Sequence, residues 1–186
     1  MPALLAGKNI FVARIPVLHG VVHSIAWAPA EDLHVRFVET SRDGFAAAHD
    51  ISSYSLIALA RETQRLMTAG GAIVTMTYAG ARRVVPNYNV MGPAKASLES
   101  SVRHLTADLG PAGIRVNAVS AGPVATVAAR TIKDFSSMLE PLESYTPLRR
   151  NVSAAEAAAV VFLLSDLARP VTGEVFHVDA GAHAVT

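Results

Sequence analysis

The sequence predicts an α/β protein with a mostly parallel, doubly wound sheet and helices on both faces. Two observations carry this. Short β-branched runs alternate with longer helical stretches along the chain. Each run is nearly continuously apolar, as strands buried on both faces are. At 186 residues the chain fits one domain with a sizeable core, and contents of 51% apolar and 17% charged residues exclude a disordered chain.

The expected strands are Asn9–Val12, Val21–Ile25, Ala72–Met76, Ile114–Val119 and Glu174–Val178. A helix from Thr40 to Met67 opens on Thr40-x-x-Asp43, a capping-box pattern, and stops at Gly70-Gly71. A second helix reaches Leu109 and stops at Gly110-Pro111. Its Leu98, Val102, Leu105 and Leu109 recur at helical spacing as one stripe, which suits either the core or a subunit interface. A third helix runs from about Ser153 to Leu164.

Composition removes several function classes. A net charge of +1 gives no field for nucleic acid or an anionic membrane. Without cysteine there is no disulfide framework, thiolate metal site or cysteine nucleophile. Ala26-Trp27-Ala28 imitates a signal-peptide cleavage site, but no basic residue precedes Lys8, and Lys8 and Arg14 interrupt the apolar run. The uncharged stretch Ile15–Ala30 contains two prolines and falls short of the roughly 20 residues a span needs. The expectation is a soluble, cytoplasmic chain with no membrane span. Gly-x-Ser-x-Gly, Walker A and His-Glu-x-x-His motifs are absent. His19 and His23 flank a strand, where a spacing of four separates them by about 13 Å, so a metal role is set aside.

The informative stretch is Tyr88-Asn89-Val90-Met91-Gly92-Pro93-Ala94-Lys95. On a helix, seven steps would bring Tyr88 and Lys95 to one face, about 10 Å apart along the axis. A lysine cation near a phenol favours phenolate and sharpens the hydroxyl as a proton donor. Tyr78 follows the strand Ala72–Met76, Ser120-Ala121-Gly122-Pro123 follows Ile114–Val119, and Ser24-Ile25 ends another strand. Ligands of open α/β sheets bind beyond such carboxyl ends. Tyr78 also suits a plainer role, with its ring in the core and its hydroxyl in water.

From His19 to about Ala182 the sequence resembles the bacterial NADH-dependent enoyl-acyl carrier protein reductases of the short-chain dehydrogenase/reductase superfamily. The markers are His23-Ser24-Ile25, the segment from Ala48 to Ser55, Tyr78 to Lys95, Arg115-Val116-Asn117-Ala118, Ser120-Ala121-Gly122-Pro123, Ile132-Lys133-Asp134-Phe135 and His177-Val178-Asp179. Tyr-x6-Lys separates this family from most of the superfamily, which uses Tyr-x3-Lys; position 92 here is glycine. The resemblance implies a Rossmann-like fold, NADH or NAD as cofactor, an enoyl thioester on acyl carrier protein as substrate, and a homotetramer.

The resemblance also implies roles. Tyr88 hydrogen-bonds the thioester carbonyl as it becomes an enolate, Lys95 holds the nicotinamide ribose, and Tyr78 orients substrate or supplies a proton. Ser24, Ile25, Gly122, Val124, Ala125, Thr126, Val127 and Ala128 lie along the cofactor, with Ile25 near its adenosine half and Val124 at the carboxamide. Ala28, Met91, Ala128, Ile132 and Phe135 join the two tyrosines around the acyl chain, under a lid from Thr126 to Leu139.

One part of the pattern is missing. Ala6 to Val12 looks like the family's first strand, yet Ala13-Arg14-Ile15-Pro16-Val17-Leu18 stands where a Gly-rich phosphate loop belongs. Arg14 to His19 reaches at most ~22 Å, too short for a parallel crossover between Val12 and Val21. The chain is therefore expected to be a shortened single domain, with Met1–Ala13 displaced and Val21–Ile25 a bare apolar sheet edge. Weakened or lost cofactor binding follows, and with it an alternative: a non-catalytic remnant that associates with a full-length paralogue. Ala26 replaces a usual glycine and Ala125 a common arginine, and Pro93 removes a donor early in the Tyr88–Lys95 helix.

Overall fold

The computed structural model describes residues 17–124, 144–156 and 159–185. Among these, four strands form one parallel sheet in sequential order: β1 (Gly20–His23), β2 (Gly71–Thr77), β3 (Ile114–Ala121) and β4 (Val175–Val178). Val21 pairs with Ile73, Ile73 with Val116, and Val119 with Phe176. The four strands expected in this range are all present, with ends shifted by no more than two residues. The expected strand Asn9–Val12 and the displacement of Met1–Ala13 lie outside the described residues.

The continuous apolar runs have a simple cause. Neighbours Ile73 and Val74 on β2 are both fully buried, on opposite faces of the sheet. Ile73 packs with Ile114 and Val116 against Leu56 and Ala60 of α3 (Ser55–Thr63) and against α4 (Met91–Leu109). Val74 and Val119 pack against Leu163 of α5 (Ala159–Leu164) and Ala168. The stripe Leu98, Val102, Leu105 and Leu109 is the α4 side of the first cluster, so it is core and not a subunit interface.

The helix expected over Thr40–Met67 is divided. It comprises α2 (Arg42–His49), a π-helical turn at Asp50–Tyr54, α3, and a 3-10 turn at Gln64–Leu66. Its cap is not the Thr40–Asp43 pair. The Thr40 hydroxyl donates backwards to Phe37 O, and Ser41 Oγ accepts from Gly44 N at 2.9 Å. Ser41 in turn donates through its N–H and hydroxyl to the buried Asp32 carboxylate, at 2.6 and 2.9 Å. That anchors α2 to the short helix α1 (Ala30–His34). The widened π turn lets three serines reach tertiary partners: Ser52 exchanges hydrogen bonds with the Trp27 backbone, Ser53 bonds Ser97, and Ser55 bonds His23. At the expected start of the third helix, Ser153 and Glu156 form a reciprocal capping pair, with Ser153 N donating to the carboxylate and Glu156 N to the hydroxyl. No described helix is long and apolar enough to cross a membrane.

Among the described residues β1 pairs only with β2, and Val22 is 49% exposed, consistent with the expected sheet edge. At the other side, fully buried Asn117 ties β3 to the approach to β4. Its Nδ2 donates to Val171 O at 3.0 Å and its Oδ1 accepts from Glu174 N at 3.1 Å. Asn117→Ala leaves the Glu174 N–H without its partner and Val171 O with Arg115 as its remaining donor, and is expected to cost about 2 kcal/mol. Thermal unfolding followed by circular dichroism should show the midpoint about 4–8 °C lower.

Candidate active site

Parallel pairing sends the carboxyl ends of all the strands to one edge of the sheet. Ser24 follows β1, Tyr78 follows β2 and Gly122 follows β3, so the three expected strand-end positions share that edge. Ser24 and Ile25 are exposed there, and Ile25 keeps 43% of its surface accessible. Tyr78, Ser120, Gly122 and Pro123 line a narrow cleft closed by Thr146, Asn151 and Asp179.

The two tyrosines meet edge to face, with ring centroids 5.1 Å apart and planes at 66°. Tyr88 is 8% exposed and shares an apolar cluster with Leu33, Val90, Met91 and Ala94, against which Ala28 and Tyr78 also pack. Four residues assigned to the acyl chain by resemblance (Ala28, Tyr78, Tyr88 and Met91) are thus brought together. Gly80 makes this possible: a Cβ there would sit 2.4 Å from Cδ1 of Tyr88. On its other side the Tyr88 turn borders a cavity of about 560 Å³, walled by Leu33, Val35, Phe37 and Val85.

Tyr88 does not belong to the helix that carries Lys95. α4 begins at Met91, and Tyr88 sits in the preceding turn between Asn87 (φ 59°) and Asn89 (φ 39°). Asparagine tolerates this left-handed region better than most residues do. Asn89 Nδ2 fixes the turn by donating to Asp32 O at 2.5 Å and Val35 O at 3.2 Å. The one-face helical argument for Tyr88 and Lys95 therefore fails. Pro93 falls at the third helical position, where a missing N–H breaks no bond inside the helix.

Lys95 is buried and donates from Nζ to Met76 O at 2.8 Å, beneath the end of β2. Burial pulls its ammonium down to about 8, against the pull of Glu99 in the other direction. Burial pushes the Tyr88 phenol well above its ordinary range, with the neighbouring Tyr78 adding to the rise, so no tilt toward phenolate is seen. The Tyr78 phenol is raised too, by burial first, with Arg83 opposing. Both hydroxyls are kept protonated, as hydrogen-bond donors must be.

Residues that the sequence reading passed over complete the site. Leu33 extends the apolar wall, Asn89 locks the Tyr88 turn, and Glu99 lies buried next to the Tyr78 turn. His23, set aside as a metal ligand, is a buried network residue: Nδ1 bonds Thr75 Oγ1 at 2.7 Å and Nε2 bonds Ser55 Oγ at 2.8 Å. Among the described residues no group of three or more potential ligands could hold a metal. Ala125, Thr126, Val127, Ala128, Ile132 and Phe135, with the expected lid, lie outside the described residues.

Lys95 and the end of β3 fit the nicotinamide end of a dinucleotide. Lys95 spends one of its three donors on Met76 O, and a small-residue strand end (Ala121-Gly122) lines one cleft with Tyr78.

A family model described as "Enoyl-(Acyl carrier protein) reductase" matches residues 8–183. The chain is 56% identical over 171 residues to the enoyl-[acyl-carrier-protein] reductase [NADH] FabI of Bacillus cereus, covering 91% of this chain and 67% of that protein. It is 54% identical over 169 residues to the [NADPH] FabI of Staphylococcus aureus, covering 90% and 66%. The crystal structure of the Bacillus cereus reductase with NADP+ and indole naphthyridinone superposes with a TM-score of 0.91 at 55% identity, over 93% of this chain and 68% of that one. The chain thus spans about two thirds of the length of these relatives. On the family match and these identities, the chain belongs to the enoyl-acyl carrier protein reductase family.

Proposed function

We propose that the site reduces the carbon–carbon double bond of a trans-2-enoyl thioester carried on acyl carrier protein, a step of fatty acid synthesis. The observation that carries this is the pair of protonated tyrosines, edge to face at the rim of an apolar cluster, with Lys95 under the adjoining strand end. NADH, when bound, supplies the hydride.

The chain's own residues do the rest. The apolar wall of Ala28, Leu33 and Met91 receives the acyl chain and excludes water from the reacting carbons. The Tyr88 hydroxyl donates a hydrogen bond to the thioester carbonyl oxygen. As hydride adds to the β-carbon, negative charge gathers on that oxygen, and a preorganised donor stabilises it most there. Tyr78, in ring contact with Tyr88, orients the thioester, and a proton delivered to the α-carbon completes the saturated product. Lys95 hydrogen-bonds the nicotinamide ribose with the donors that Met76 O leaves over. An oligomer, a homotetramer or one mixed with a full-length paralogue, and a cytoplasmic location belong to the same reading.

A second reading has its own support. Ala13–Leu18 replaces the Gly-rich loop, so the backbone donors that grip a pyrophosphate are not supplied there. A non-catalytic chain that associates with an intact reductase would be built this way. Calorimetric titration with NADH separates the two. Micromolar affinity, about −8 kcal/mol, followed by thioester-dependent loss of NADH absorbance, supports the reductase. A folded sample that binds no NADH rejects it for this chain.

A further inference from the structure

We infer that Glu99 is a positioning residue of this site: its carboxylate fastens the turn bearing Tyr78 to the helix bearing Lys95, one helical turn from Lys95 on the same face. The catalytic consequence rests on the reductase reading; the electrostatic content does not.

The geometry is specific. Glu99 is 5% exposed and stands four residues after Lys95 on α4, so the two side chains share a helix face. Thr77 Oγ1 donates to its Oε1 at 3.0 Å, and Arg82 Nε donates to its Oε2 at 3.2 Å. Thr77 immediately precedes Tyr78, and Arg82 immediately follows the 3-10 turn Ala79–Ala81. One carboxylate therefore grips both ends of the segment that presents the Tyr78 ring to Tyr88.

Stability alone does not account for such a residue. A buried carboxylate is costly to desolvate, and an apolar side chain of similar volume usually serves a core as well or better. Its partner Arg82 is 58% exposed at the side chain, where an ion pair contributes little. Besides accepting from Thr77 and Arg82, Glu99 opposes the desolvation of Lys95, which no neutral residue can do. The charged and titratable groups around the pair are few. His23 of β1 faces Lys95, while Arg82 and, from β4, His177 face Glu99. Burial holds His23 neutral, which leaves Glu99 as the anion acting on Lys95.

The chain has three lysines, Lys8, Lys95 and Lys133, so labelling lysine with ¹³C at Cε gives three signals, and the one lost in Lys95→Arg is Lys95. Titration from neutral to alkaline pH reads its midpoint directly. In Glu99→Gln, which keeps the shape and one acceptor, the midpoint should fall by at least about half a pH unit. In Arg82→Gln, which removes a competing cation, it should rise. An unchanged or higher midpoint in folded Glu99→Gln overturns the inference. Should that variant not fold, an unchanged or lower midpoint in Arg82→Gln overturns it instead. NADH titration of the wild-type chain keeps the two ideas apart. Failure to bind sinks the reductase reading and leaves the lysine titration decisive for Glu99. Binding with an unmoved lysine sinks only the role of Glu99.

Discussion

Tyr88→Phe is expected to cut thioester-dependent NADH oxidation by roughly 10²–10³-fold, the usual loss on deleting one donor to a developing oxyanion. NADH affinity and the unfolding midpoint should stay as they are. The ring is seated by Gly80, Val90 and Met91, and phenylalanine keeps every one of those contacts. Only the hydroxyl goes, and burial holds that hydroxyl protonated far above assay pH. The loss should therefore be in kcat, with little change in KM, because the bond to the carbonyl oxygen strengthens as charge appears. Tyr78→Phe is the control. Tyr78 touches the same ring but is not assigned the oxyanion, so its effect should be smaller. A Tyr88→Phe chain within threefold of wild type would remove Tyr88 from the chemistry.

The sheet, and the edge of it on which the candidate site lies, were legible in the sequence for a physical reason. Strands covered on both faces need apolar residues at every position, and Ile73-Val74 shows that requirement being met on two sides at once. Chain order and parallel pairing then fix which strand ends meet, so Ser24, Tyr78 and Gly122 could be placed at one edge. What stayed hidden depends on tertiary partners. The left-handed backbone at Asn87 and Asn89, which takes Tyr88 out of the helix, is held by bonds to Asp32 O and Val35 O more than fifty residues away in sequence. In and just after the π turn at Asp50–Tyr54, Ser52, Ser53 and Ser55 bond Trp27, Ser97 and His23. No periodicity announces such a turn. Nothing in the sequence around Glu99 sets it apart from other helix charges, and only the position of Thr77 across the fold shows that it is buried.

His23 gives the fold an acid limit. Ser55 spends its single hydroxyl proton on Ile51 O, so it accepts from His23 Nε2–H, and Nδ1 is left to accept from Thr75. That network assigns the neutral ring. Burial, with the Lys95 cation close by, pulls the His23 pKa from 6.5 down to about 4. Between those values the unfolded chain holds a proton that the folded chain does not, so stability rises with pH across the window. It is complete above about 6.5 and falls away as the medium is acidified toward 4. At about 1.4 kcal/mol per pH unit, the interval corresponds to about 3 kcal/mol. Carboxylates titrate in the same range, so the measurement is a difference. Urea unfolding of the wild type and of His23→Gln, which retains a donor toward Ser55, is compared at about pH 7 and about pH 4. The variant should lose about 3 kcal/mol less than the wild type on acidification. Equal losses would mean that the ring accepts a proton in the folded state without penalty, and the bonds from Thr75 and to Ser55 would then have to rearrange around an imidazolium facing the ammonium of Lys95.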